Sequence, residues 1–170
     1  WEVLTFAGDK PLANPQKVFS DVDVIISTIS AIEGSDLVLD LHGRDLNGFS
    51  GWVGYISATS VYPDMPSGIC YEDTPVAPAT ARGKARVLAE SRWQKQLGAE
   101  VFRAAGIYGP GRSPFDALRN GTARIIEHEG HLFNRIHVDD ICRVIIAAIK
   151  QPRRFRIINL ADQKPAPQGD

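Results

Sequence analysis

The chain lacks most of the features that announce a function outright. It has only two cysteines, Cys70 and Cys142, far apart and without a CxxC neighbour. That excludes a disulfide framework and fits thiols kept reduced in a cytoplasmic compartment or an organelle stroma. Its formal net charge is −1 over 170 residues, so electrostatics give no case for nucleic acid or an anionic membrane surface as a partner. No apolar run approaches the roughly 20 residues of a membrane span, and no signal peptide is visible. Internal repeats and low-complexity stretches are also missing. His128 and His131 stand close together in EHEGH, but the segment has turn character and offers no third ligand, so no metal site is expected. An initiating methionine is absent: the chain opens on Trp1 inside an apolar run and closes on QKPAPQGD. It reads as a piece of a longer protein.

What is present is ordinary for a globular domain, with 44% hydrophobic and 23% charged residues. The length suggests one domain over residues 1–170. Glu2–Ala7 reads as a short strand, Asp9–Pro15 as a turn and Gln16–Ser20 as a short helix. Asp23–Ser27 is a continuous apolar strand of the kind buried on both faces of a parallel sheet. Ser35–Leu46 fits a helix and Trp52–Ser57 a strand. A long proline-rich loop, Tyr62–Pro78, follows; such loops often carry function. Thr80 is placed to cap a helix that runs to Leu97 and ends at Gly98. Ala81, Ala85, Ala89, Trp93 and Leu97 step by four along its inner face.

Glu100–Ala105 is a further strand, Gly106–Arg112 a turn-rich loop, and Phe115–Arg119 a short helix. Arg124–Ile126 and Leu132–Val138 read as short strands about a Glu129-Gly130 turn. Asp139 is placed as the cap of the next helix, whose Ile141, Val144, Ile145, Ala148 and Ile149 form one apolar stripe. Arg156–Leu160 is the last strand. Strands alternating with helices imply an α/β architecture with a parallel sheet covered on both faces. Ligands in such sheets bind beyond the carboxyl ends of the strands, here just after Ser27, Ser57 and Ala105.

Four segments in order, YISATSVYPD, YEDTPVAPATARGKARVLAE, VFRAAGIYGPGR and RIHVDDICRVIIAAI, followed by INLAD, resemble the extended short-chain dehydrogenase/reductases. The resemblance is to their NAD-dependent epimerase/dehydratase branch, and to its atypical members above all. It implies a doubly wound Rossmann-type sheet, incomplete at both ends, and a partial NAD(P)-binding domain. Members of the family open with a strand, a GxxGxxG turn and a helix that hold the cofactor pyrophosphate. That motif is not in this chain, and Glu2–Ala7 most resembles the family's third strand. Without the central first strand, the edges of Glu2–Ala7 and Asp23–Ser27 would face open space. The 170-residue chain alone is therefore expected to fold poorly, and a sharp two-state melt would refute this.

The family's chemistry uses a Ser or Thr at a strand end and a Tyr-x-x-x-Lys pair on the next helix. With Glu90 as anchor, Arg82 falls at the tyrosine position and Arg86 at the lysine position. Ala58 falls at the Ser/Thr position, flanked by Ser57 and Thr59. An arginine stays protonated and cannot act as a general acid or base, and Ala58 has no hydroxyl. Ser57, Thr59, Arg82 and Arg86 are therefore the catalytic candidates of an altered centre.

Arg82 and Arg86 are four apart and share a helix face. Two readings stay open for them: a phosphate or carboxylate site in the cofactor cleft, or a solvated face with an Arg86–Glu90 pair. By resemblance Thr28, Ser57, Gly106 and Ile107 line the cofactor cleft, and Tyr62 and Arg112 are candidates to meet a small-molecule substrate. Asp139 and Asp140 read as helix-start carboxylates, His137 as a hydrogen-bonded core histidine, and Trp52 and Trp93 as core. The implied function is an NAD- or NADP-binding oxidoreductase of epimerase/dehydratase type with an atypical active site. The alternative is a catalytically silent Rossmann-fold binding or regulatory protein. Oligomeric state is not legible.

Overall fold

The computed structural model describes residues 4–8, 10–32, 34–65, 68–123 and 132–167. In chain order the elements are α1 (Pro15–Ser20), β1 (Val24–Ser27), α2 (Leu37–His42), β2 (Trp52–Ala58), a 3-10 turn (Thr59–Val61), α3 (Ala81–Leu97), β3 (Glu100–Ala104), β4 (Gly106–Tyr108), α4 (Pro114–Arg119), β5 (Arg135–His137), α5 (Val138–Lys150) and β6 (Ile157–Leu160). Four strands form a parallel sheet in the order β1-β2-β3-β6. β4 and β5 form a separate parallel pair.

Alternation along β2 sends Val53 and Tyr55 to one face, against Ala85, Ala89 and Trp93 of α3 and Leu39 of α2. Trp52 and Ile56 point to the other, where Phe102, Ile141, Ala148 and Leu160 pack. Both faces are covered, which is why β3 is buried at all five positions. The result is an α/β, doubly wound, Rossmann-type sheet.

Local signals explain the helices that matter for the site. The Thr80 side chain accepts from the Gly83 amide and starts α3; Gly98, at φ 66°, ends it in the left-handed region that glycine tolerates. Trp93 is fully buried and stacks on Tyr55 with ring centroids 5.8 Å apart. The stripe on α5 faces the sheet through Ile141, Val144, Ile145 and Ala148.

Several expectations are corrected. Leu4–Ala7 form no strand, and Leu4 is exposed. A strand needs a ladder partner, and among the described residues β1 pairs only with β2. The Ser35–Leu46 helix is only α2, capped by the Asp36 carboxylate and closed at Gly43, after which the chain runs in turns. The Gly106–Arg112 segment is not all loop, since its first three residues pair with β5. The expected strand over Leu132–Val138 narrows to β5. The cap of α5 is His137, whose Nδ1 accepts from the Asp139 amide, and not Asp139 itself. The expected strand at Arg124–Ile126, the Glu129-Gly130 turn, His128 and His131 lie outside the described residues.

Candidate functional site

β1 and β2 end side by side, and the first turn of α3 arrives beside them. Gly83 permits that approach, because a Cβ there would sit 2.5 Å from the Ser60 carbonyl oxygen. Between the segment after β1 and the start of α3 lies a cavity of about 410 Å³, lined by Ser30, Ala31, Ile32, Ala81 and Arg82.

Arg82 is exposed on the rim of this cavity and pairs with no carboxylate among the described residues. Arg86, one turn deeper, is only 6% exposed. Its Nη1 donates to the Ile56 carbonyl at 3.0 Å and its Nη2 to Ser30 Oγ at 2.7 Å, while Nε has no partner. Two more buried polar atoms lack partners, Ser27 Oγ and Tyr55 OH. Ser27 and Tyr55 are register partners on adjacent strands, and Tyr55 feels the Arg86 charge. Burial pushes the Tyr55 phenol up to about 12, against the opposing pull of Arg86.

The Arg86–Glu90 pair of the solvated-face reading does not form, and Arg86 is not solvated. Glu90 turns instead to Arg103 on β3, with Nη2 to Oε2 at 2.8 Å. It also accepts from Ser57 Oγ at 2.5 Å. Arg103 Nη1 donates to Tyr62 OH at 2.9 Å, and Tyr62 OH donates to Asn159 Oδ1 on β6 at 2.7 Å. Burial works to lower the Arg103 pKa, but hydrogen bonds to Glu90 and Tyr62 outweigh it and hold the guanidinium above its ordinary value. The Asn159 amide donates to Glu72 Oε1 at 2.8 Å, which ties the long loop to the last strand.

The site residues expected from sequence therefore fall into separate places. Arg82 and Ser30 line the cavity, and Arg86 lies buried behind Ser30, bonded to its hydroxyl. Ser57 and Tyr62 are buried, with their hydroxyls spent in the Glu90–Arg103 network. Thr28 is exposed after β1 and Thr59 half-buried in the 3-10 turn. Gly106 and Ile107 belong to β4, and Arg112 is exposed in the turn it closes with Gly109.

Sequence reasoning passed over Ser30, Arg103 and Asn159. Arg103 had a signal: a charged residue in the interior of the strand EVFRA, flanked by Phe102 and Ala104, must find a partner. The roles of Ser30 and Asn159 depend on tertiary placement and had no such signal. Chemically, the cavity edge offers hydrogen-bond donors and positive charge. It offers no titrating acid or base at position 82 and no hydroxyl at Ala58. Among the described residues no cluster of three or more His, Cys, Asp or Glu is placed to hold a metal.

No family model matches the chain. It is 34% identical over 110 residues to Protein YeeZ of Escherichia coli K12, a match covering 62% of this chain and 38% of YeeZ. A functionally unknown conserved protein from Silicibacter pomeroyi superposes with a TM-score of 0.86 at 38% identity, over 96% of this chain and 58% of that one. UDP-glucuronic acid 4-epimerase from Bacillus cereus, in complex with NAD, superposes with a TM-score of 0.75 at 18% identity, over 92% of this chain and 59% of that one. The chain has the fold of the extended short-chain dehydrogenase/reductases. Motif order and three-dimensional likeness agree on this fold. The chain spans a little over a third of YeeZ and under two thirds of the solved relatives. No helix among the described residues is long and apolar enough to cross a membrane.

Proposed function

We propose that this chain is part of a nicotinamide-dinucleotide-binding protein of epimerase/dehydratase type, with a reaction centre rebuilt around arginine. The observation that carries the reading is Arg86, anchored between the Ile56 carbonyl and Ser30 at the strand ends with a buried Nε–H left free. A buried donor without a partner costs about 1–3 kcal/mol, so a ligand oxygen there would recover that cost. The cleft at the strand ends would take the nicotinamide end of a dinucleotide, with Thr28, Gly106 and Ile107 as further cleft residues by resemblance. The Bacillus cereus epimerase binds NAD, and we carry that cofactor class to this chain as part of the proposal.

When bound, NAD or NADP supplies hydride transfer. The chain's own part is to orient the cofactor and to hold a fixed positive charge beside a small-molecule substrate. Proton transfer by the usual tyrosine has no counterpart at Arg82. That substitution, with Ala58, favours a second reading: a binding or regulatory protein that keeps the cleft without turnover. Fluorescence titration of the full-length protein with NADH and NADPH tests the first reading, and absence of binding to either would remove it. Binding with no turnover across a panel of carbonyl substrates would select the second.

A further inference from the structure

We infer that the cavity at the start of α3 takes an anionic group, a carboxylate or phosphate on the small-molecule ligand, through Arg82 and Ser30 with Arg86 behind them. The inference rests on the cleft reading above and adds the charge class of what enters it.

Three observations converge. First, Arg86 is a buried cation whose direct partners are both neutral. The carboxylates near it are spent elsewhere: Glu90 on Arg103 and Ser57, Asp36 on Trp93 Nε1 and the Leu39 amide. Buried charges are ordinarily paired; here the guanidinium keeps one donor, Nε, in reserve. Second, Ser30 lines the cavity and accepts from Arg86 Nη2 through its oxygen. Its own hydroxyl hydrogen has no acceptor among the described residues. It can donate into the cavity, polarised by the charge behind it. Third, Ala81 and Arg82 line the opposite wall from the first turn of a 17-residue helix, whose amide dipoles favour negative charge. Arg82 adds a planar fork suited to either carboxylate or phosphate oxygens. A neutral hydroxyl or carbonyl would leave both arginines without a counter-charge; an anion satisfies the serine, the helix end and Arg82 directly and places a counter-charge in front of the buried Arg86.

The test is thermal unfolding of the full-length protein, titrated with malonate, inorganic phosphate and the neutral isostere malonamide. Ionic strength is held constant with potassium chloride, with and without excess NADH. The expected result is a saturable rise in melting temperature with malonate or phosphate that malonamide does not give and that persists in NADH. A malonate-only response assigns a carboxylate, and a phosphate-only response a phosphate. Arg82→Ala and Ser30→Ala should each weaken the apparent affinity at least fivefold. Arg82 is exposed, so its variant tests the idea without endangering the fold. An equal response to malonamide, affinities within twofold of wild type in both variants, or loss of the response in NADH would overturn the inference. NADH binding followed by its own fluorescence separates the two ideas. NADH bound with no anion response sinks only the anion site; an anion response without NADH binding sinks only the dinucleotide reading.

Discussion

Arg103 and Arg86 are the same residue type, both buried, and the structure treats them in opposite ways. Arg103 has a carboxylate in Glu90, a phenol in Tyr62 under its guanidinium and a backbone carbonyl at Glu72. Arg86 has a main-chain carbonyl, a serine oxygen and a donor to spare. A saturated cation knits β2, α3, β3 and β6 together; the unsaturated one lies at the strand ends, behind the cavity where we propose that a ligand binds. The contrast separates scaffold from site more sharply than residue type or sequence position does.

The comparison can be broken most forcefully at Glu90. Glu90→Ala strips Arg103 of its counter-ion and is expected to cost about 3–5 kcal/mol, as buried pairs do when one partner is removed. Urea unfolding would read it, and a loss below about 1 kcal/mol would mean that Arg103 is not held as described. A high-pH arm comes next. Burial pushes the Tyr55 phenol from its ordinary 10.0 up to about 12 in the folded protein. Its contribution is therefore complete below about pH 10 and is lost as pH rises toward 12. That loss is roughly 2–3 kcal/mol. Stability measured from pH 9 to 12 should fall less in Tyr55→Phe than in wild type, and equal slopes would contradict it.

Tyr62→Phe removes the hydroxyl shared by Arg103 and Asn159 and should cost about 1–2 kcal/mol. At neutral pH, by contrast, Tyr55→Phe removes a buried hydroxyl with no partner and should be neutral or slightly stabilising. If Tyr55→Phe proves as damaging as Tyr62→Phe, the distinction between satisfied and unsatisfied groups fails. The smallest effect is expected at Arg92, whose ion pair with Asp40 is partly exposed on both sides. Arg92→Ala should cost under about 1 kcal/mol and lose even that in high salt.

Much of this is legible in the sequence. The bounds of α3 follow from Thr80 and Gly98, the face of α5 from its isoleucines and valine, and β1 and β2 from short apolar runs. These are local signals, each acting within a turn or two of chain. The misreadings have a common physical root. Leu4–Ala7 has strand composition, but composition cannot supply a neighbour to bond with. The helix after Ser35 has the right residues, but it is closed by Gly43. The candidate site was half legible. The spacing of Arg82 and Arg86 put them on one stripe of α3, yet the burial of Arg86 depends on where β1 and β2 end. The Arg103–Glu90–Ser57 network joins three elements that periodicity treats separately, and nothing in an i,i+4 reading of Arg86 and Glu90 foresees that Glu90 turns to another strand.

The tie between Glu72 and Asn159 joins residues 87 positions apart. Chains are synthesised from the N-terminus at about 5–20 residues per second, so β6 leaves the ribosome roughly 4–17 s after the loop it fastens. During that interval Tyr62 and the Glu72 carboxylate have no Asn159 to meet, and the loop between β2 and α3 lacks its tie to the last strand. A nascent chain stalled before Ile157 should be cut readily within that segment, and one extended past Leu160 should not.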